Sequence, residues 1–244
     1  MPQPVNLILF DPAEIAVPLP RRDPRAAHIL DVLRRQPGDT FDCGVIDGPR
    51  GKATLTVVGA EALALAFAWG APPPPPGPIT IVVGLPRPQT ARDILRDATA
   101  LGVGALHFVA TEKSDPNYAR AALWTSGGWR RHAIDGAQQA FDTRLPAVTH
   151  GRALDATLAS LPPGGARLAL DHYEATAPLG ECHPLGDTSA VLALGPERGW
   201  GASDREALRA QGFTIVHLGA RVLRVETAVI AALALVRARL ALLR

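Results

Sequence analysis

An unbroken run of prolines is the feature that most constrains how this chain can fold. Residues 72–76 are all proline, and another proline follows at position 78. Proline fixes φ and has no N–H to donate, so this segment is expected to be extended polyproline II. We therefore expect two folded regions, residues 1–70 and 79–244, joined by a stiff linker over residues 71–78. The alternative is that the prolines form a ligand for an SH3-like module.

The first region has the pattern of a small β-rich domain. Apolar runs predict four short strands, at residues 5–10, 40–46, 52–58 and 63–69. Asp47-Gly48 is a turn signal between two of these strands. One helix is expected over residues 28–35, where Pro37-Gly38 ends it.

The second region alternates strands with helices. Short apolar runs predict strands buried on both faces, at residues 79–83, 105–110, 167–170, 191–194 and 214–218. Helices are expected between and after them, over residues 90–101, 119–141, from a capping box at Ser203 and Glu206 to Gly212, and from Glu226 onward. This order predicts an α/β domain with a mainly parallel sheet.

Composition and charge exclude several classes of protein. Hydrophobic residues make up 47% of the chain, which is too apolar for intrinsic disorder. The longest apolar run, residues 228–236, is too short to span a bilayer, and no signal peptide is visible. Two distant cysteines, Cys43 and Cys182, are typical of a reducing compartment. We therefore expect a soluble cytoplasmic protein without a membrane partner.

Arginine carries nearly all of the positive charge. The net charge is only +2, but Lys52 and Lys113 are the only lysines among 25 basic residues. The planar guanidinium favours bidentate contacts with phosphate or carboxylate groups. This composition is compatible with RNA binding and does not require it.

The common catalytic and nucleotide-binding signatures are missing from the sequence. There is no P-loop, no G-x-S-x-G and no H-E-x-x-H, and Gly102-Val103-Gly104 precedes a predicted strand rather than a helix. His172, Cys182 and His183 are conceivable metal ligands. The sequence has no second pair of His or Cys residues at the spacing of a metal site, so a structural or surface role is favoured for these three residues and no metal is expected.

Two glycine-containing loops near the C-terminus are the most informative motifs. Residues 194–201 read L-G-P-E-R-G-W-G and link a predicted strand to a helix. Residues 218–228 read L-G-A-R-V-L-R-V-E-T-A and again link a strand to a helix. Glycine allows backbone amides to approach a ligand closely at such sites. Taken singly, each could be an ordinary loop whose charged side chains form salt bridges.

Together the two loops resemble the signature of the bacterial 16S rRNA uridine-N3 methyltransferases. These enzymes belong to the SPOUT superfamily of trefoil-knotted, S-adenosylmethionine-dependent RNA methyltransferases. The resemblance extends to residues 28–39 of the first region, to 98–103 at the end of a predicted helix, and to 138–146. The family pattern differs at Ala100, Gln138 and Arg198, and at residues 85–88, which leaves the choice of RNA open.

The resemblance implies the fold and the cofactor. It implies an α/β SPOUT methyltransferase domain with a C-terminal trefoil knot, preceded by a small PUA-like β-barrel domain that contacts RNA. Knots are otherwise nearly absent from protein folds. S-adenosylmethionine is expected in a pocket of three loops. The expected cofactor-binding residues are Leu170, Leu194, Gly195, Pro196, Glu197, Gly199, Leu218, Gly219, Leu223, Thr227 and Ala228.

The chemistry implied by the resemblance assigns roles to charged residues. Methylation at N3 of uracil requires loss of an imide proton, and Arg221 and Arg224 could stabilise the oxyanions that develop. Arg224 could equally bind a phosphate or pair with Glu226. Glu197 or Glu226 could offset the sulfonium charge, or could cap a helix N-terminus. The expected catalytic residues are Arg224, Arg221 and Glu226.

The expected partners are 16S rRNA in the small ribosomal subunit and a second copy of the chain. The target base must be unpaired or flipped out to expose its N3. The expected RNA-binding residues are Arg21, Arg22, Arg25, Arg34, Arg35 and Arg144. The arginines before residue 36 could instead form a solvated face. The C-terminal helix, residues 226–243, is apolar nearly all round, which suggests a homodimer.

Two other functions remain open at this point. One is a SPOUT methyltransferase that acts on a different RNA. The other is an RNA-binding assembly factor that has lost catalysis. The intact loops at residues 195–197 and 221–226 argue against the loss of catalysis.

Overall fold

The computed structural model describes residues 7–181 and 188–243, which form two compact units. The first unit comprises Met1–Pro75 together with Ile134–Leu145, which we call the return segment. The second unit comprises Pro76–Ala133 and Pro146–Arg244. The boundary near residue 75 lies in the proline run, as the sequence predicts. The sequence predicted that each unit is one continuous stretch of chain, and it did not predict the return segment.

The first unit is built on a five-stranded sheet. Its strands are β1 (Ile8–Phe10), β2 (Leu19–Pro20), β3 (Thr40–Val45), β4 (Arg50–Val58) and β5 (Ala62–Trp69). They lie in the order β1-β3-β4-β5-β2, and every pairing is antiparallel except that of β1 with β3. Among the described residues β1 and β2 form the two edges, so the sheet is an open one. A closed PUA-like barrel stays a prediction.

The helical part of the first unit starts earlier than the sequence indicated. Helix α1 (Pro24–Ala27) continues into a π-helical stretch, His28–Val32. Asp23 caps the start of α1 through its carboxylate, which accepts a hydrogen bond from the Arg25 N–H at 2.8 Å. Arg34 follows with φ of +53°, a left-handed conformation that ends the helix.

Hydrogen bonds attach the return segment to the rest of the first unit. Thr143 is fully buried, and its hydroxyl donates to the carbonyl of Gly48 at 2.7 Å. The carbonyl of Thr143 accepts from the N–H of Asp47 at 2.8 Å. Arg144 donates to the carbonyl of Pro74 at 2.8 Å. These contacts join residues about 70 to 100 positions apart, so local sequence patterns do not reveal them.

The second unit contains a seven-stranded parallel sheet, which confirms the α/β prediction. Its strands are β6 (Ile79–Gly84), β7 (Ala105–Ala110), β8 (Ala147–Ala153), β9 (Ala166–Leu170), β10 (Ala177–Pro178), β11 (Ala190–Leu194) and β12 (Thr214–His217). They lie in the order β10-β12-β9-β11-β6-β7-β8, and all pairings are parallel. The five predicted strands are present, and the edge strands β8 and β10 are additional.

The helices of this unit are α2 (Pro88–Ala100), α3 (Ala122–Thr125), α4 (Trp129–Gln139, which continues into the return segment), α5 (Leu154–Ala159), α6 (Ala202–Ala210) and α7 (Val225–Arg239). The prediction of one long helix over residues 119–141 is wrong. A 3-10 turn, Pro116–Arg120, and helix α3 come first, and the chain then breaks before α4. Gly127, with φ of +72°, lies in this break.

Helix α6 has a capping interaction, but Ser203 and Glu206, the two residues predicted for it, do not make it. The carboxylate of Asp204, rather than that of Glu206, accepts the N–H of Gly201 at 2.8 Å. The hydroxyl of Ser203 instead donates to Glu112 at 2.8 Å. This hydrogen bond lowers the pKa of the Glu112 carboxyl group. The start of α6 is therefore held by a residue from the segment after β7.

Helices cover both faces of the parallel sheet. Alternate strand residues point to opposite sides, so Leu192 packs with one core and Ala193 with the other. The first core includes Leu95 of α2 and Leu233 of α7, and the second includes Leu208 of α6. Among the described residues, no helix is long and apolar enough to cross a membrane.

Arg25 is the centre of an ion cluster in the first unit. Its guanidinium contacts the carboxylates of Glu14 and Asp23 at 2.5 and 2.7 Å, and donates to the carbonyl of Leu9 at 3.0 Å. It also lies 4.9 Å from the ring centroid of Phe10. The hydrogen bonds from Arg25 lower the pKa of both carboxyl groups. Arg25 therefore supports the fold of this unit.

We expect Arg25→Gln to destabilise the protein in a pH-dependent way. Carboxyl groups whose pKa is lowered by folding stabilise the native state above their ordinary values of 4.5 and 3.8 and lose this effect as the pH falls. The variant should lose roughly 1–2 kcal/mol of unfolding free energy at pH 7, and less at pH 3. Urea denaturation at several pH values measures this.

Arg22→Gln is the matched control, because Arg22 is exposed and has no ion pair within the described residues. It should leave the free energy of unfolding unchanged at every pH. Equal stability and equal pH dependence of Arg25→Gln and the wild type would contradict the role of the ion cluster.

Candidate active site

Parallel strand pairing brings three loops of the second unit to one edge of the sheet. Leu170 at the end of β9 pairs with Leu194 at the end of β11 and with Val216 of β12. The segments that follow these strands therefore leave the sheet at the same level. They line a cavity of about 620 Å³. Cavities at the carboxyl ends of parallel strands are common ligand sites in α/β proteins.

Most residues predicted from the sequence for this site lie in the cavity lining. From the cofactor set, these are Leu170, Leu194, Gly195, Pro196, Glu197, Gly199, Leu218, Leu223 and Ala228. From the catalytic set, they are Arg221, Arg224 and Glu226. Gly219 and Thr227 are outside the lining. Gly219 lies in the loop after β12 with φ of +98°, and Thr227 lies in the first turn of α7.

The loop after β11 is a tight turn that glycine makes possible. The N–H of Gly199 donates to the carbonyl of Pro196 at 2.8 Å, and Gly199 has φ of +69°. A Cβ on Gly195 would lie 2.9 Å from the backbone of Gly199, so a side chain there would displace the turn. The two glycines therefore allow the loop to fold back on itself at the cavity wall.

Glu197 is anchored at the start of helix α2. Its carboxylate accepts the N–H of Arg87, the residue before α2, at 2.9 Å. A carboxylate is favourable near the partial positive charge of a helix N-terminus. Of the two roles considered for Glu197, this contact matches the capping one.

A buried ion pair fixes the loop after β9. Asp171 pairs with Arg205 of α6, and their side chains are only 2% and 11% exposed. The second oxygen of Asp171 accepts the N–H of Tyr173 at 2.7 Å. The indole N–H of the buried Trp200 donates to the carbonyl of Leu170 at 3.0 Å. The loops after β9 and β11 are thus held together by side chains that the sequence motifs did not identify.

The loop after β12 presents two free guanidinium groups. The N–H of Gly219 donates to Nδ1 of His217 at 2.9 Å, which fixes the start of this loop. Arg221 and Arg224 are exposed and have no ion pair or hydrogen-bonded side-chain partner within residues 7–181 and 188–243. The ion pair between Arg224 and Glu226, which the sequence left open, is therefore not formed in the described part of the chain. Both guanidiniums are available to a ligand.

Sequence reasoning missed several residues of the cavity lining. They are Arg87, Thr90, Asp171, His172, Tyr173, Arg198, Trp200, His217, Val222 and Val225. Asp171, His172 and Tyr173 directly follow β9, in the loop after Leu170 that the resemblance implied as one wall of the pocket. The polar segment after a buried parallel strand is the signal that could have identified them individually. Arg87 and Thr90 lie far away in sequence and carry no such signal.

The predicted RNA-binding arginines of the first unit differ in their surroundings. Arg21, Arg22 and Arg34 are exposed. Arg35 is half-buried, and its Nε has no hydrogen-bond partner among the described residues. Arg25 belongs to the ion cluster described above, and Arg144 donates to carbonyls of the proline run.

The described residues contain no cluster of three or more His, Cys, Asp or Glu side chains that could hold a metal ion. His172 lines the cavity and is exposed, with its ring edge-on to that of Tyr173. Cys182 and His183, which were considered with it as ligands, lie outside the described residues.

Comparison with known proteins identifies relatives that match nearly the whole chain. The RNA methyltransferase domain family matches residues 73–237. A ribosomal RNA small subunit methyltransferase E from Treponema pallidum is 32% identical, with 96% of this chain and 91% of the relative covered. A crystal structure of a protein of the same name from Neisseria gonorrhoeae, bound to S-adenosyl methionine, is 25% identical. It has a TM-score of 0.77 and covers 96% of this chain and 97% of that one.

A crystal structure of a probable rRNA-methyltransferase from Porphyromonas gingivalis shares the fold, with a TM-score of 0.80 at 22% identity. It covers 97% of this chain and 100% of that one. The match to the RNA methyltransferase domain extends over more than half of the chain, and the identity to a full-length relative exceeds 30%. This chain therefore belongs to the ribosomal RNA small subunit methyltransferase E family of RNA methyltransferases.

Proposed function

We propose that this protein transfers a methyl group from S-adenosylmethionine to N3 of one uridine near the 3′ end of 16S rRNA in the small ribosomal subunit. Membership of the family makes it an RNA methyltransferase, and S-adenosylmethionine is the methyl donor. The observation that carries the finer proposal is the cavity at the ends of β9, β11 and β12, with two free guanidiniums in its lining. The expected place of action is the cytoplasm, where small subunits are assembled.

The cavity suits a nucleoside-sized cofactor. Its volume of about 620 Å³ is in the range of small-molecule sites. A Cβ on Gly195 would clash with the backbone of Gly199, and Gly199 has a positive φ, so this turn favours glycine at both positions and exposes backbone amides and carbonyls at the wall. Leu194, Leu218 and Leu223 add apolar surface for an adenine ring. When bound, S-adenosylmethionine supplies an activated methyl group on a positively charged sulfur.

Arg221 and Arg224 supply the electrostatic part of the reaction in this proposal. Removal of the N3 proton of uracil places negative charge on the two neighbouring carbonyl oxygens. A guanidinium can donate two parallel hydrogen bonds to such oxygens. Because neither arginine has an acidic partner in the described chain, their charge is not neutralised before RNA binds.

RNA recognition uses both units in this proposal. The N3 atom lies on the Watson–Crick edge, so the uridine enters the cavity unpaired or flipped out of a helix. Arg21, Arg22, Arg34 and Arg35 of the first unit are proposed to bind phosphates elsewhere on the RNA. Arg25 is left out of this set because Glu14 and Asp23 neutralise it, and Arg144 because it bonds to the proline run.

We also infer the trefoil knot that the superfamily resemblance implies. Strand β12 lies near one end of the sheet, beside β9 and β10. The next element, α7, returns to pack against α2 and β11. The chain after the loop at 218–224 thus passes back over the centre of the sheet, as a C-terminal knot requires.

We expect Gly199→Val to weaken S-adenosylmethionine binding at least tenfold. Valine strongly disfavours the positive φ of this position, so the turn that forms the cavity wall must change. Isothermal titration calorimetry with the cofactor measures the loss. Gly212→Val is the matched control, because Gly212 has φ of +76° with open space around it and lies outside the cavity lining.

The control variant should lose similar thermal stability but keep the affinity of the wild type. If both variants bind S-adenosylmethionine as the wild type does, the cavity is not the cofactor site. If both lose binding equally, the loss reflects general destabilisation, and the assignment of the turn to the cofactor is wrong.

We expect Arg224→Ala to slow methyl transfer by about 10²–10³ while cofactor affinity changes only a few-fold. Loss of one preorganised donor to a developing oxyanion has effects of this order. Arg224→Lys should restore only part of the rate, since an ammonium lacks the planar fork. Single-turnover assays at saturating cofactor and small subunits measure the rate, and thermal melts check folding. Normal turnover with a lowered melting temperature would show a structural role instead.

We expect the protein to be a homodimer. Helix α7 buries Val229 and Val236, yet Ile230 and Leu235 on its other sides remain about 40% exposed. Val222 in the cavity loop is 76% exposed as well. A second copy of the chain would cover these apolar side chains. Sedimentation equilibrium at micromolar concentration should give twice the chain mass, and a stable monomer would contradict the proposal.

A further inference from the structure

The cavity lining contains another free guanidinium, that of Arg198, which has no role in the proposed reaction. Arg198 lies between Glu197 and Gly199 in the turn after β11. It is exposed and, like Arg221 and Arg224, makes no ion pair within residues 7–181 and 188–243. The arginines of the neighbouring helix α6 behave differently, because Arg205 and Arg209 both pair with acidic side chains.

The lining contains three acidic residues, Asp171, Glu197 and Glu226. Asp171 is paired with Arg205, and Glu197 accepts the N–H of Arg87. Glu226 lies in the first turn of α7, where the helix dipole favours a negative charge. The lining therefore holds four guanidiniums, those of Arg87, Arg198, Arg221 and Arg224, against two carboxylates that make no ion pair in the described chain, those of Glu197 and Glu226, so positive charge is in excess in this part of the cavity.

The cofactor does not explain this positive charge. S-adenosylmethionine carries a sulfonium, an ammonium and a carboxylate, so its net charge is positive. A cluster of free arginines disfavours the approach of such a ligand unless one of them contacts its carboxylate. A polyanion is the ligand that benefits from the whole cluster, and the phosphates of RNA have the chemistry that guanidinium groups recognise.

The backbone of Arg198 is held in place before any ligand binds. The hydrogen bond between Gly199 and Pro196 closes the turn on one side of it, and the carboxylate of Glu197 is anchored on the other. A fixed backbone lowers the entropy lost when a side chain binds a ligand. Arg198 is thus presented at the cavity from a rigid turn.

We propose that Arg198 binds an RNA phosphate next to the target nucleotide and so positions the uridine in the cavity. This inference rests on the proposed function and adds a substrate contact to it. Arg198 is a substrate-binding residue in this scheme, whereas Arg221 and Arg224 act on the base.

Binding of small ribosomal subunits tests this inference separately from catalysis. Filter binding is carried out with unmethylated small subunits, in the presence of S-adenosylhomocysteine, at several salt concentrations. Arg198→Ala should weaken binding roughly tenfold, since a charge-assisted hydrogen bond to phosphate has about this effect. The slope of log K against log salt should become less steep by about 0.7–0.9, the value for the loss of one phosphate contact.

Two further variants make the result specific. Arg198→Lys keeps the charge and should keep the salt slope of the wild type. Arg96→Ala is the matched control, because Arg96 of α2 is already paired with Asp93 and Asp97 and lies outside the cavity lining. It should change neither affinity nor slope. The affinity of Arg198→Ala for S-adenosylmethionine should stay within twofold of the wild type.

Other outcomes overturn the inference in different ways. An unchanged slope for Arg198→Ala would show that the residue meets no phosphate. Weaker S-adenosylmethionine binding with unchanged RNA binding would assign Arg198 to the carboxylate of the cofactor. Wild-type protein that binds small subunits but never methylates them would refute the proposed function, while the salt slopes still decide the role of Arg198. Wild-type protein that does not bind small subunits would overturn both.

Discussion

The parallel pairing of β9, β11 and β12 is the constraint on which the site depends. Their register places Leu170, Leu194 and Val216 at neighbouring positions, so the three following loops leave the sheet together. Each of these strands contributes side chains to the cores on both faces of the sheet, and slipping one of them by a residue would turn its side chains toward the wrong core. The same hydrophobic packing that stabilises the second unit therefore fixes the walls of the cavity.

Electrostatics divides this cavity into two kinds of surface. Acidic side chains serve the protein itself: Asp171 binds Arg205, and Glu197 caps the start of α2. Three guanidiniums, those of Arg198, Arg221 and Arg224, have no such partner in the described chain. In the proposed function, backbone groups hold the cofactor and the free guanidiniums bind the anionic second substrate. Such a division suits an enzyme that must bring a cationic cofactor and a polyanion to one place.

How well the sequence predicts each element depends on whether its signal is local. The strands of the parallel sheet were predicted closely because each is a short apolar run, such as that of β11. Strand β8 was missed because it is an edge strand with a polar sequence, and residues 119–141 were predicted as one helix because a 3.6-residue pattern continues across Gly127. The loops of the site were predicted from their resemblance to the sequence motifs of a known family. The ion pair between Asp171 and Arg205 joins residues 34 positions apart, and no sequence motif predicts it.

Mass spectrometry of rRNA tests most directly whether this chain methylates N3 of a single uridine in 16S rRNA. Unmethylated small subunits can be incubated with the protein and S-adenosylmethionine, and the rRNA then digested and analysed by liquid chromatography and mass spectrometry. We expect one 3-methyluridine per 16S rRNA, within an oligonucleotide from the 3′ region. A methyl group on another nucleoside, or no methyl group in the small-subunit RNA, would contradict this expectation.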